Sequence, residues 1–344
     1  MLHASNYHVE VTKHIIWKKV LFFFLDSLTL NLAYNIRGGK MLYKYRNYLV
    51  DKGKSQNTVL SYINDLQIFF QEMGINPDSY VISNDIKRWI RDMLNPKEGK
   101  ALSVSTINRR LNTLRGYFSW AERKKYIKVN PMTDIKGLKM ADEEHEKIMW
   151  LTEKEFEDLL ERMRKHPVKT RGINPEEKYR RDRAIIYILT YAGLRVEELS
   201  NLKITDIDLD LKKIRIIGKE TKVRTIPMSN FLYNEVLEWL QFRSKISKGK
   251  EIVTQSPYAF YSQRSEKFSI RGIQAMIENY STSGKKITPH MFRHTFCKWM
   301  LKATNNDIEK VRRLAGHSHI STTTRYLKNS YEELTDAVEA MPIF

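Results

Sequence analysis

The amino-acid sequence predicts a mainly α-helical chain with one small β-hairpin or sheet, built as a helical domain followed by a mixed α+β domain. Three observations predict it. Apolar residues recur at helical spacing from Met41 onward. Two β-branched runs, at 213–217 and 223–226, switch the period to that of strands. A polar stretch at 136–149 separates two apolar-periodic regions. The 344 residues suffice for two ordinary domains. With 42% apolar and 29% charged residues, a sizeable core is available and global disorder is excluded.

Residues 1–40 read as an N-terminal extension. Val20 to Leu25 is strongly apolar, but Lys18, Lys19 and Asp26 interrupt the run. It falls short of the ~18–20 apolar residues of a membrane span, and no small-residue cleavage site of a signal peptide is clear. Gly38-Gly39 stands just before Met41, and Gly-Gly codons can encode a purine-rich ribosome-binding sequence. Translation is therefore expected to start at Met41.

Residues 41–138 form the expected helical domain. Leu42, Tyr45 and Leu49 mark one helix, and Leu60, Ile63, Leu66, Phe69 and Phe70 a second. Lys52-Gly53-Lys54-Ser55 breaks them, with Ser55 as the N-cap of the second. A third covers Asp85 to Leu94 and is closed by Asn95-Pro96. A fourth starts near Ser105, runs to Lys125 and turns Ile107, Leu111, Leu114 and Phe118 inward.

Charge points to the partner. Lys and Arg outnumber Asp and Glu by 59 to 40, which implies a polyanion, with nucleic acid first and an anionic membrane surface second. The fourth helix concentrates this charge in Arg109, Arg110, Arg115, Arg123, Lys124 and Lys125, while the only acids in residues 101–140 are Glu122 and Asp134. A solvated basic face is the commoner meaning of such a run. The scarcity of acids favours DNA contact, mostly to phosphates, with Arg able to read guanine edges in the major groove.

Residues 139–149 read as a linker and 150–344 as the second domain. It opens on Thr152-Glu153-Lys154-Glu155, a capping box, followed by Phe156, Leu159, Leu160 and Met163. Lys165 to Arg180 is polar and reads as a long exposed loop. An apolar helix from Ala184 to Tyr191 stops at Gly193. The strand runs 213–217 and 223–226 are joined by a charged tip holding Lys219 and Lys222. The single cysteine, Cys297, excludes an intrachain disulfide and a Cys-based zinc site, and reads as a buried thiol.

Cleaving DNA without a metal needs a nucleophile, cations for the phosphorane, an acid for the leaving 5′ oxygen and a group to deprotonate the nucleophile. No HExxH, nuclease-type carboxylate cluster or P-loop occurs. Arg195 follows Gly193-Leu194 at the opening of a helix, where a phosphate would suit it, although a surface Arg is the default. Lys219 at the hairpin tip would ordinarily be solvated. In Thr288-Pro289-His290-Met291-Phe292-Arg293, Thr288 can cap, Pro289 suits the first turn, and His290 and Arg293 share a face; a surface pair is equally open. Gly316-His317 precedes Tyr326 by nine residues, with His319 competing for the role of His317 and packing as the ordinary role of Tyr326.

Together these motifs resemble the tyrosine recombinase (phage integrase) family, its Xer-like branch above all, over about residues 41–335. The resemblance implies a helical core-binding domain at 41–138 and a mixed α+β catalytic domain at 150–344. It implies that Tyr326 attacks the scissile phosphate to give a 3′-phosphotyrosyl link, and that Arg195 and Arg293 hold the non-bridging oxygens. His317 adds a hydrogen bond, Lys219 is general acid, and His290 assists proton removal from Tyr326. Glu198 and Asp206 support the site, and Lys222 joins the basic residues of the fourth helix in contacting DNA. The link preserves the phosphodiester energy, so no cofactor, ATP or metal is implied. The implied partner is double-stranded DNA with paired half-sites, in the cytoplasm on the nucleoid, with no membrane. A C-terminal tail bearing Leu334, Val338, Met341 and Ile343 would either pack on its own domain or join neighbouring subunits into a homotetramer, the latter being what similar proteins do. Two readings stay beside this one: a type IB topoisomerase, and a non-catalytic DNA-binding protein on the same fold.

Overall fold

The structure, a computed structural model, describes residues 39–139, 149–165, 174–218, 223–246, 255–262 and 265–327. The chain divides into two compact units, Met1–His145 and Glu146–Phe344. Residues 1–38, most of the linker, residues 166–173, the hairpin tip with Lys219 and Lys222, and the tail from residue 328 lie outside the described residues. Among the described residues no helix is long and apolar enough to cross a membrane.

The first unit is helical. It contains α1 (Gly39–Asp51), α2 (Gln56–Met73), α3 (Ser83–Leu94) and α4 (Val104–Arg123). Ser55 caps α2, its hydroxyl accepting from Thr58 N at 3.3 Å, and Ser103 caps α4 in the same way through Thr106 N. The core gathers Tyr45, Ile63, Leu66, Phe69, Trp89, Leu111 and Phe118, all buried. These are the inward positions of the helical spacing, and their burial is what holds four amphipathic helices together.

The second unit begins with α5 (Glu153–Lys165), whose capping box forms as the sequence indicates: Thr152 N donates to Glu155 Oε2 at 2.8 Å and Glu155 N donates to Thr152 Oγ1 at 3.2 Å. The next helix, α6 (Pro175–Tyr191), starts nine residues before the expected Ala184. Pro175 to Arg180, read from sequence as loop, is thus helical. Asn174 accepts from Glu176 N and Pro175 occupies the first turn. The polarity that suggested a loop is internal polarity. Lys178 and Arg181 both bind Asp182, Tyr280 OH donates to Asp182 Oδ2 at 3.0 Å, and Tyr261 OH donates to Glu177 Oε1 at 2.9 Å, all buried. Burial of these charges is tolerated because each is paired.

After α6 come α7 (Val196–Asn201) and a three-stranded antiparallel sheet, β1 (Ile207–Asp208), β2 (Lys213–Ile217) and β3 (Val223–Pro227). The hairpin register pairs Ile214 with Ile226 and Ile216 with Arg224. The two-residue β1 adds an edge strand that the sequence pattern does not show. Helices α8 (Asn230–Ser244), α9 (Ile270–Glu278), α10 (Pro289–Ala303), α11 (Ile308–Ala315) and α12 (Ser321–Thr324) complete the unit. Its main core runs through Ile185, Ile188, Leu199, Ile214, Trp239, Phe260 and Phe292. A smaller cluster of Phe296, Cys297, Leu301, Val311 and Ala315 surrounds Tyr326.

Candidate active site

Two glycines shape the site. Helix α6 ends at Tyr191, and Gly193 takes φ +62°, where a Cβ would lie 2.3 Å from the Phe296 ring. Only glycine lets the chain turn there against α10, and the turn delivers Arg195 to the start of α7. Gly316 closes α11 at φ +65°, with Arg224 only 3.0 Å from where a Cβ would stand.

The two arginines converge on this second turn. Arg195 Nη2 donates to Gly316 O at 3.0 Å, while Arg293 Nη2 donates to the adjacent Ala315 O at 2.6 Å and its Nη1 to Gly193 O. Both guanidinium groups are thereby fixed by main-chain carbonyls of Gly193, Ala315 and Gly316. Arg293 is buried, and burial together with the charge of Arg195 pulls its pKa down to about 10, so it stays cationic at neutral pH. Arg195 is held from behind: its N–H donates to Glu198 Oε2 at 2.8 Å and its Nη1 to Oε1 at 3.0 Å.

His317, directly after Gly316, is buried and shares a 2.8 Å hydrogen bond between its Nδ1 and Thr323 Oγ1. Burial and the charges of Arg293, Arg195 and Arg224 hold its pKa near 4, so the ring is neutral at pH 7. His319, two residues on, is exposed, whereas His317 is buried beside the arginine turn. The His317 ring lies parallel to that of Tyr326 with centroids 6.5 Å apart. Tyr326 is buried, and burial followed by the adjacent Cys297 thiol raises its pKa above the ordinary phenol value. Burial likewise pushes the Cys297 thiol up to about 11, so it is an inert neighbour.

The histidine that meets Tyr326 is His294. Its Nδ1 lies 2.6 Å from the Tyr326 hydroxyl. His290, the residue expected there, stands one turn earlier on the same helix, exposed, its ring 6.3 Å from that of His294. The pKa of His290 is lowered, first by partial desolvation and then by the charges of Arg293 and Arg195. Thr288 occupies the N-cap position of α10 but makes no side-chain cap bond, contrary to expectation.

Of the two acidic residues, Glu198 sits in the site and Asp206 does not reach the arginines. Asp206 accepts from Lys203 N and from Arg215 Nη2 at 2.8 Å, and so ties β2 to the turn before β1. Arg224 was not singled out by the sequence. On β3 it faces inward with Ile226, and a strand whose inward face carries an arginine is the signal that could have found it.

The basic face of α4 also differs from expectation. Arg109 makes a bidentate pair with buried Asp65 on α2, with Thr113 Oγ1 donating to the same carboxylate at 3.1 Å. Arg110 lies over the Trp89 ring, and Arg115 donates to Ile135 O at 3.1 Å. Each of these three has a structural partner outside α4. Arg123, Lys124 and Lys125, at the end of α4, are exposed.

A helical domain followed by a domain that gathers Arg195, Arg293, His317 and Tyr326 around one turn defines a tyrosine-type site-specific recombinase. Residues 149–333 match the model of the phage integrase family and residues 42–125 that of the phage integrase N-terminal SAM-like domain. The chain belongs to the phage integrase family. It is 32% identical to tyrosine recombinase XerA of Pyrococcus furiosus, covering 87% of this chain and 93% of that protein. With tyrosine recombinase XerC of Leptospira interrogans it shares 31% identity, covering 85% and 90%. Among solved structures, the Tn1549 transposon integrase in complex with a circular intermediate DNA has the same fold (TM-score 0.67, 23% identity, 87% of this chain and 98% of that one). So does XerH bound to palindromic difH substrate in a post-cleavage complex (TM-score 0.63, 18% identity, 84% and 81%).

Proposed function

We propose that this recombinase cuts and rejoins DNA through a 3′-phosphotyrosyl link at Tyr326. The observation that carries the reading is the convergence of Arg195 and Arg293 on the Ala315–Gly316 turn, which leads directly into His317 and on to Tyr326. Two fixed guanidinium groups suit the non-bridging oxygens of a phosphodiester, and they stabilise a phosphorane better than mobile cations because they need no reorganisation. His317, neutral and held at Nδ1, can donate from Nε2 to the same phosphate.

In the reaction the Tyr326 oxygen attacks phosphorus, the bond to the 5′ oxygen breaks, and that oxygen takes a proton from Lys219. The phenol proton passes to His294, its hydrogen-bond partner. Burial first, and then the neighbouring His290, Arg293 and Arg325, depress the basicity of His294; the negative charge of the scissile phosphate offsets the charge part of that effect. Rejoining reverses each transfer, with the 5′ hydroxyl of the partner strand as nucleophile. His290 faces the phosphate beside Arg293, Glu198 orients Arg195, and Asp206 braces β2 behind the hairpin that bears Lys219 and Lys222. The substrate is duplex DNA with paired half-sites, gripped also by the exposed end of α4. Four copies assemble on it through the tail bearing Leu334, Val338, Met341 and Ile343.

A nicked suicide substrate tests the reading. The full chain should form a covalent protein–DNA adduct and, with a second marked duplex, exchange strands. Absence of an adduct from intact, DNA-bound protein would defeat it, and relaxation without exchange would turn it toward a topoisomerase.

A further inference from the structure

Arg224 joins several groups of the site and has no part in the chemistry just described. Its Nη1 and Nη2 donate to Glu198 Oε1 and Oε2, each at 2.8 Å, and its Nε donates to Leu314 O at 3.3 Å. One side chain on β3 thus joins α7 and the last turn of α11. Space for it depends on Gly316, where any Cβ would crowd the guanidinium at 3.0 Å.

The Glu198 carboxylate is shared. It accepts from Arg224 twice, and from the N–H and Nη1 of Arg195. Although burial opposes ionisation, the hydrogen bonds and charge of Arg224, then those of Arg195, lower its pKa to about 2. A carboxylate paired with Arg195 alone would cancel the positive field that Arg195 presents to a phosphate. With Arg224 on its other side, the group of three keeps a net positive charge. Arg224 lies on β3 opposite Ile216 of β2, so its bonds tie the β2–β3 pair to the arginine turn.

We propose that Arg224 is a positioning residue for strand cleavage: it neutralises Glu198 so that Arg195 remains available to the scissile phosphate, and it anchors the β2–β3 hairpin to the Leu314–Gly316 turn. The inference rests on the reading of Tyr326 as nucleophile.

The experiment uses the full chain and compares wild type, Arg224→Lys, Arg224→Gln, Glu198→Gln and the double variant Arg224→Gln with Glu198→Gln. Single-turnover adduct formation on a nicked substrate and affinity for uncut duplex are measured for each. Arg224→Gln should slow adduct formation about tenfold to a hundredfold, the loss expected for a charged hydrogen-bond pair, and leave duplex affinity unchanged. Arg224→Lys should recover part of the rate. Adding Glu198→Gln to Arg224→Gln should also recover part of it, because the unneutralised carboxylate is removed. A purely structural role would make the double variant worse than either single one. Wild-type rate in Arg224→Gln, or no relief in the double variant, overturns the proposal. If Arg224→Gln fails to fold, the Arg224→Lys rate decides: a partial loss with unchanged affinity supports it, and full activity or lost affinity overturns it. A wild-type chain that forms no adduct fails the nucleophile reading instead, so the two failures are distinct.

Discussion

His294 Nδ1 and the Tyr326 hydroxyl lie 2.6 Å apart, and Tyr326 packs in one buried cluster with Phe296, Cys297 and Leu301. His294 itself is held neutral, its pKa lowered to about 4 by burial and by His290, Arg293 and Arg325. A neutral ring can accept the phenol proton, which a protonated one cannot. His294→Phe should therefore slow adduct formation about a hundredfold, the lower end of general-base contributions, while duplex binding is unchanged. His290→Phe should cost less at the proton-transfer step and should weaken the hold on the phosphate. Equal effects of the two substitutions on the pH–rate profile would sink the distinction.

His317 Nδ1 and Thr323 Oγ1 share a 2.8 Å hydrogen bond, and in the proposed reaction the hydroxyl donates it, which leaves the ring proton on Nε2 for the phosphate. Thr323→Val removes this bond in a buried position and should slow cleavage about tenfold. Thr323→Ser should restore most of the rate. A fully active valine variant would show that His317 needs no such partner.

Stability should depend on pH in a defined direction. An unfolded histidine takes a proton near its ordinary value of 6.5, whereas His294 and His317 in the fold resist until about 4. The native state therefore loses stability as pH falls from 6.5 toward 4. Glu198, depressed from 4.5 to about 2, adds a loss over the still lower interval. Above pH 6.5 the contribution of all three is complete and flat. Thermal melting at about pH 7.5 and about pH 5 checks this: a lower melting temperature at the acid value is expected, and an unchanged one would contradict the buried neutral histidines.

The basic residues of α4 should separate into two groups. Arg109→Ala leaves Asp65 buried without its cation and should cost about 1–3 kcal/mol of stability, visible as an earlier melt. Arg123→Gln and Lys124→Gln should leave the melt alone and weaken duplex binding. For every phosphate that a variant no longer neutralises, the slope of log affinity against log salt should become shallower by about 0.9. A salt slope that responds to Arg109 and ignores Arg123 and Lys124 would reverse the assignment.

Much of the site was legible because its residues follow local backbone signals. Gly193 before Arg195, Pro289 before His290 and Arg293, and Gly316 before His317 each announce a turn or helix start in the sequence itself. The four helices of the first unit were legible for the same reason, since Ser55 and the apolar spacing act over a few residues. What was not legible depends on distant pairings. Arg224 gains its meaning from Glu198 and Leu314, 26 and 90 residues away. Arg109 looked free because Asp65 lies 44 residues earlier. The start of α6 was misread because Lys178, Arg181 and Asp182 satisfy one another inside the fold, and a polar run cannot show from sequence that its partners are its own neighbours. His294 was passed over for His290 because both lie on α10 one turn apart, and only the position of Tyr326 separates them.

The central claim is that Tyr326 becomes covalently joined to DNA. The direct measurement is to trap the full chain on a nicked suicide substrate, digest the adduct, and identify by mass spectrometry the residue that carries the nucleotide. The account predicts a phosphodiester on Tyr326, and no adduct from Tyr326→Phe at unchanged duplex affinity. A nucleotide on any other residue, or an adduct that persists in Tyr326→Phe, would contradict it.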